Sequence, residues 1–182
     1  MRGLIPLFLA AAVGIGTASA GDTVIEDFDR QPETRWRFFT DQVMGGVSTG
    51  QVAFMLEGDR RFARMTGRVS TANRGGFIQM RLDIDSPPPD NITGIRVVVR
   101  GDGQSYFVHL RTTGSVLPWQ YYQAGFDTTE TWQELRLPLD AFAASGGLQR
   151  RVPRARTLTS VAIAAYGRDH DARIDVREIG FY

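Results

Sequence analysis

Hydrophobic and polar residues alternate along much of the chain. In Gly76–Ile84, Ile78, Met80, Leu82 and Ile84 fall on one side, and Phe77, Gln79, Arg81 and Asp83 on the other. In Ser105–Arg111, Tyr106, Val108 and Leu110 oppose Phe107, His109 and Arg111. Successive side chains of a strand point to opposite faces of a sheet, so a period of two predicts β-structure. Such runs are Val24–Phe28, Thr49–Leu56, Phe62–Val69, Gly76–Ile84, Gly94–Arg100, Ser105–Thr112, Trp119–Phe126, Trp132–Pro138, Ser160–Tyr166 and Ile174–Phe181. Glycine, proline, aspartate and asparagine separate them. Gly101-Asp102-Gly103 suits a hairpin loop, because glycine accepts the positive φ of a tight turn. Pro87–Asn91 reads as a stiff connection. One short helix is predicted from Leu139 to Ala144, with Pro138 at its start. Many short strands without alternating helices predict an all-β sandwich of two antiparallel sheets, in one domain from Gly21 to Tyr182.

The first residues follow a different pattern. Met1-Arg2 gives a positive start, Leu4–Gly16 is apolar, and Ala18-Ser19-Ala20 has the small-x-small form of a cleavage site. Residues 1–20 therefore read as a signal peptide, cleaved near Ala20, which places the mature chain in the periplasm or outside the cell. An uncleaved anchor is the alternative, but the run is shorter than the roughly 20 apolar residues that span a bilayer. No transmembrane segment is expected in the mature chain. There is no cysteine, so disulfides, thiolate metal sites and a cysteine nucleophile are excluded. An exported chain held by its core alone suits a bacterial periplasm. All 21 basic residues are arginine, which excludes a lysine Schiff base or a P-loop lysine. With Arg2 removed, 20 arginines face 20 acidic residues, and that balance argues against nucleic acid as a ligand.

Several motifs carry a family resemblance. Asp41-Gln42-Val43-Met44-Gly45-Gly46-Val47-Ser48, with Trp36 shortly before it, resembles the signature of the complex I intermediate-associated protein 30 family. Phe62 to Ser70, with Gly67, Val69 and Ser70, is similar to its next strand, and Asn73-Arg74-Gly75-Gly76-Phe77 to its N-x-G-G-F step. Arg100-Gly101-Asp102-Gly103-Gln104-Ser105-Tyr106 resembles its R-G-D-G-x-x-Y hairpin. Tyr121–Phe126, Trp132–Pro138 with Phe142, and Ile179-Gly180-Phe181 are similar to later strands. The resemblance implies a galactose-binding-like jelly-roll β-sandwich without enzymatic activity. It also implies an assembly-factor role, since mitochondrial members assist respiratory complex I from the matrix side. An exported chain would work on the opposite side of that membrane.

Candidate chemistry gathers in a few places. The signature loop, with Asp41, Met44, Gly45, Gly46 and Ser48, reads either as a recognition loop or as a bend whose ends Asp41 and Ser48 cap. If Ser105–Arg111 pairs with Trp119–Gln123, one sheet face collects Phe107, His109, Arg111, Trp119, Tyr121 and Gln123, and Gly76–Ile84 adds Phe77, Gln79 and Arg81. Aromatics mixed with arginine and glutamine suit a sugar ring or a protein partner, although aromatics alone would also suit a second core face. The basic run Arg150-Arg151-Val152-Pro153-Arg154-Ala155-Arg156 reads as a solvated loop or a contact for anionic head groups. Asp169, His170, Asp171 and Asp175 read as a solvated acidic turn with no metal; the alternative is a hard cation shared with Glu26, Asp27 and Asp29 if the terminal strands are neighbours. Asp27 and Asp171 are the metal candidates of that set. No hydrolase, metalloprotease or nucleotide-binding motif occurs, and no cofactor is implied. The expected function is non-enzymatic: binding of a protein partner in the envelope or a respiratory complex, or alternatively of a polysaccharide.

Overall fold

A computed structural model describes residues 22–182, so the signal peptide expected at residues 1–20 lies outside the described residues. One sheet contains β1 (Thr23–Glu26), β3 (Thr49–Glu57), β4 (Arg60–Val69), β6 (Gly94–Gly101), β9 (Gln133–Pro138) and β12 (His170–Phe181). The other contains β2 (Trp36–Thr40), β5 (Phe77–Asp83), β7 (Ser105–Thr112), β8 (Tyr122–Asp127), β10 (Ala143–Ala144) and β11 (Leu158–Tyr166). The first sheet runs β3-β4-β12-β6-β9, with β1 also on β12, and the second runs β10-β8-β7-β11-β5-β2. All pairings are antiparallel. The all-β expectation holds, as a jelly-roll sandwich.

Alternation decides which side chains meet between the sheets. Met65, Ile95, Val97, Ile174 and Val176 come from the first sheet, and Ile78, Met80, Val108, Leu110 and Ile163 from the second; all are fully buried. Each contributes about 1.5–3 kcal/mol by leaving water, and together these residues form the main hydrophobic cluster. Phe28 stacks on Trp36 at 5.5 Å, sealing one end.

The structure corrects several boundaries. The helix expected from Leu139 to Ala144 is a 3-10 turn over Leu139–Ala141 followed by β10. Phe142 must enter the core, and Ala143-Ala144 pair with Gln123 and Tyr122, so the chain extends there. Trp119 lies before β8 rather than in it. Strand β2 was not among the predicted runs, although Trp36 and Phe38 face the core while Arg37 and Phe39 face outward, as its register with β5 shows.

The R-G-D-G-x-x-Y motif holds the fold together. Asp102 accepts hydrogen bonds from the Tyr106 hydroxyl at 3.0 Å, Gln104 Nε2 at 2.7 Å and the Arg173 amide at 3.1 Å. The same Arg173 amide donates to Tyr106 Oη at 2.8 Å. The hairpin is thereby tied to β12, and Arg100 reaches Asp175 on the same strand at 2.8 Å.

Candidate functional site

The signature loop closes around one buried carboxylate. Residues Asp41–Met44 form a 3-10 turn that Thr40 caps, and Gly45 ends it at φ 90°, a conformation glycine adopts freely. Asp41 Oδ1 accepts from the Ser48 amide at 2.9 Å. Its Oδ2 accepts from Ser48 Oγ at 2.5 Å, the Gly76 amide at 2.6 Å and the Phe77 amide at 3.4 Å. A Cβ on Gly46 or on Gly75 would lie 2.3 Å from this carboxyl group, so both glycines are required by its close approach. Burial pushes the Asp41 carboxyl up, but the donors from Ser48, Gly76 and Phe77 outweigh it and hold the group below the ordinary carboxylate range. Asp41, Gly45, Gly46 and Ser48 thus pin the D-Q-V-M-G-G-V-S block to the N-x-G-G-F step. Val43 and Met44, 75% and 62% exposed, project from its tip.

Ion pairs dominate the outer face of the first sheet. Asp175 on β12 lies between Arg64 of β4 and Arg100 of β6 and takes hydrogen bonds from both at 2.7–2.8 Å. The Trp132 ring has Arg177 at 4.0 Å and Arg100 at 4.4 Å, and its Nε1 donates to Glu57 at 3.0 Å.

The second sheet presents a different face. Register aligns its outward residues into cross-strand rows. One row runs Phe39, Gln79, Ala164, Phe107, Gly125. The next runs Arg37, Arg81, Ala162, His109, Gln123, Ala143. The third holds Asp83, Ser160 and Arg111. Strand β11 therefore supplies only Ser160, Ala162 and Ala164 at the centre, with long side chains on both neighbouring strands. These small residues are themselves buried beneath the longer side chains of the neighbouring strands, and at the Ser160 end the face opens into a depression of about 620 Å³.

One wall is aromatic. His109 stacks on Tyr121 at 4.4 Å, Tyr166 meets Phe107 at 5.9 Å and His109 at 5.7 Å, and His109 Nε2 lies 3.2 Å from Gln123 Oε1. Phe77 opposes Tyr166 at the end of β5. Burial and then a hydrogen bond with Tyr166 push the Tyr121 phenol upward. The opposite wall carries Gln79 and Arg81, whose guanidinium sits 4.9 Å over Phe39.

Of the sequence candidates, Phe77, Gln79, Arg81, Phe107, His109, Arg111 and Gln123 share this face, and Tyr121 stacks onto it. Trp119 stands apart, 60% exposed in the β7–β8 connection. Arg37, Phe39, Tyr166 and the small residues of β11 were missed. The alternation in Trp36-Arg37-Phe38-Phe39 would have found the first two, but the small residues gain meaning only from their register.

The shared-cation alternative does not fit the topology. Strand β1 does lie beside β12, but Glu26 opposes Ile179, whereas Asp171 is at the other end of that strand, about 26 Å away at 3.3 Å per residue. Glu26 is taken by Arg35, Trp36 Nε1 and the Phe28 amide. Asp27 accepts from the Asp29 amide, Asp169 holds Thr71, and Asp175 holds its arginines. Among the described residues no three acidic or histidine side chains are grouped to hold a metal ion.

His109 gives this face a pH signature. Although it points outward it is only 7% exposed, and burial lowers its pKa to about 4, with the Gln123 hydrogen bond opposing. An unfolded imidazole titrates near 6.5. Between those values the unfolded chain binds a proton that the folded chain refuses, so stability falls as pH drops, by about 3 kcal/mol over the window. Asp41 and Asp175, held below their ordinary values, keep their contributions through it. Urea unfolding of His109→Gln from pH 7 to 4 is expected to show a much flatter dependence than the wild type; an unchanged slope would refute the assignment.

The molecule is thus a two-sheet jelly roll whose outer faces differ, one dominated by ion pairs and the other by aromatic and polar side chains. The chain belongs to the complex I intermediate-associated protein 30 family, which residues 26–169 match. No curated protein matches it at a significant level. Among solved structures it is similar to the family 11 carbohydrate-binding module of the cellulosomal cellulase Lic26A-Cel5E of Clostridium thermocellum, with a TM-score of 0.72 and 10% identity, covering 90% of this chain and 95% of that one. It is also similar to a family 11 module from Clostridium thermocellum in complex with a β-1,3-1,4-mixed-linked tetrasaccharide, with a TM-score of 0.70, 10% identity and coverage of 90% and 96%. The family 30 module of the cellulase Cel9D-Cel44B from the same organism is more distant, with a TM-score of 0.53, 10% identity and coverage of 74% and 82%. At these identities the likeness is one of fold.

Proposed function

We propose that this protein is a non-catalytic module that acts outside the cytoplasm and holds an extended polysaccharide on the open face of its second sheet. The aromatic and polar side chains that β5 and β7 raise on either side of the buried Ser160, Ala162 and Ala164 carry the reading. A chain of sugar rings lying along β11 touches Phe107, His109 and Tyr121 on one side and Gln79, Arg81 and Phe39 on the other. Aromatic faces meet sugar C–H groups, while glutamine and arginine meet hydroxyls. The tetrasaccharide-bound family 11 module supports the reading through its shared fold, and the signal-peptide pattern of residues 1–20 supports the location.

Hydrolysis is disfavoured by spacing. Asp83 and Asp127 are carboxylates at opposite ends of this face, aligned with Arg111 and Ser105. Six residues of β7 separate those rows, about 20 Å, whereas glycosidase pairs stand about 5–9.5 Å apart. The second reading, a protein contact in an assembly role, is favoured by the family and by the exposed Val43–Met44 tip.

Affinity electrophoresis of the purified protein through gels containing neutral and acidic polysaccharides tests the proposal. At least one is expected to retard it. Tyr121→Ala, which removes an aromatic surface outside the inter-sheet core, is expected to weaken that retention about tenfold while the melting temperature moves by a few degrees. Equal retention of this variant would move the site off the face. No retardation by any polysaccharide, with a cross-linked protein captured through Val43 and Met44 instead, would decide for the second reading.

A further inference from the structure

One end of the open face carries an excess of positive charge. Arg37 and Arg81 stand directly opposite each other on β2 and β5, and Arg111 lies across Ser160 from Asp83. All three arginines and Asp83 line the depression of about 620 Å³. Like charges directly opposite in a sheet are destabilising. Asp83 is the one carboxylate among the lining residues, and Arg37 Nη2 occupies it. Arg81 Nε is buried, lies 3.7 Å from Asp83, and has no hydrogen-bond partner among the described residues. Arg111 is fixed by the carbonyls of Ser115, Leu117 and Pro118 at 2.7, 3.1 and 3.0 Å, so its charge is held in place without a carboxylate. Burial, then Arg37 and Arg111, lower the Arg81 pKa, in line with this crowding.

The first sheet differs in its supply of carboxylates. On the first sheet, Arg64, Arg96, Arg100, Arg136 and Arg177 each meet a carboxylate. In the depression three arginines stand beside one acid, which Arg37 and Arg81 both approach. Crowded guanidiniums in a half-buried hollow cost stability unless an anion offsets them, and a planar fork suits the oxygens of a carboxylate or sulfate.

We propose that this depression receives the anionic substituent, a carboxylate or a sulfate ester, of an acidic polysaccharide lying across the outer face of the second sheet. The inference rests on the polysaccharide reading and names the class of polymer. Arg81 and Arg37 contact the anion from one side, and Arg111 supplies charge from the other.

The test compares matched pairs: polygalacturonate with its methyl ester, and a sulfated galactan with its desulfated form. Titration calorimetry is run in dilute and in 0.5 M sodium chloride. At least one acidic polymer is expected to bind tenfold or more tightly than its neutral partner, and the responding pair tells carboxylate from sulfate. Arg81→Gln is expected to reduce that affinity to the neutral level while leaving the melting temperature unchanged or raising it, since a repulsion is removed. Arg151→Gln, in the exposed basic run, is expected to bind as the wild type does. Equal binding of neutral and acidic polymers would overturn the anion site and leave the polysaccharide reading standing. Equal loss in the Arg151 variant would reduce it to general charge attraction, and binding to none of the four would overturn both.

Discussion

Asp175→Ala is expected to lower the unfolding free energy by about 3–5 kcal/mol, the usual result of removing one partner from a buried ion pair. Asp175 is buried, and the β12 register sets it opposite Arg64 on one side and Arg100 on the other. Burial alone would push its carboxyl group up, yet Arg64 and Arg100 hold it below the ordinary range. Without it, two half-buried guanidiniums share the site with Glu57, which already serves Arg177 and Trp132. A domain of this size loses about 2–4 °C per kcal/mol, so the melting temperature should fall by about 10 °C. The exposed pair of Arg156 and Asp90, 3.7 Å apart, provides the contrast, and Asp90→Ala should change stability by less than about 0.5 kcal/mol. Calorimetry of the two variants checks both, and a loss below 1 kcal/mol for Asp175→Ala would mean that water and Glu57 replace it.

Asp41→Asn is the second large effect, expected to cost about 3 kcal/mol despite identical shape. Both carboxylate oxygens face donors: the Ser48 amide on one, and Ser48 Oγ with the Gly76 and Phe77 amides on the other. An amide must turn its NH2 toward one of these sets, leaving buried donors unmatched at about 1–3 kcal/mol each. Because the folded carboxyl is held low, the wild-type contribution is present at neutral pH and is lost only as pH falls below the usual carboxylate range. The difference between variant and wild type in urea should therefore shrink toward pH 3. A difference that is the same at pH 3 and pH 7 would contradict the charged-acceptor account.

These two residues show what could be read from the chain and what could not. Alternation in Gly76–Ile84 and Ser105–Arg111 sorted inward from outward side chains correctly, because burial between two sheets imposes that period. It placed most of the candidate face for the same reason. It did not distinguish the two outer faces, since both carry arginines and aromatics. That distinction lies in which carboxylates cross-strand register delivers, to Arg64 and Arg100 but not to Arg81 and Arg111. The family motifs were specific as markers, yet Asp41 and Asp102 spend their hydrogen bonds inside the fold. The Leu139–Ala144 segment misled because local propensity yielded to the burial of Phe142.

The position of β12 also sets the order of folding. It follows every other described strand, yet it pairs with β1, β4 and β6 and holds the first sheet together. Strands β3 and β4 form a local hairpin, but joining them to β6 and β9 must wait until residues 170–181 have left the ribosome. Such distant pairings slow folding, because the chain is ordered before the contacts compensate. Until β12 docks, the first sheet is two separate pieces, β3-β4 and β6-β9, and its inner face has no continuous surface to offer the second sheet.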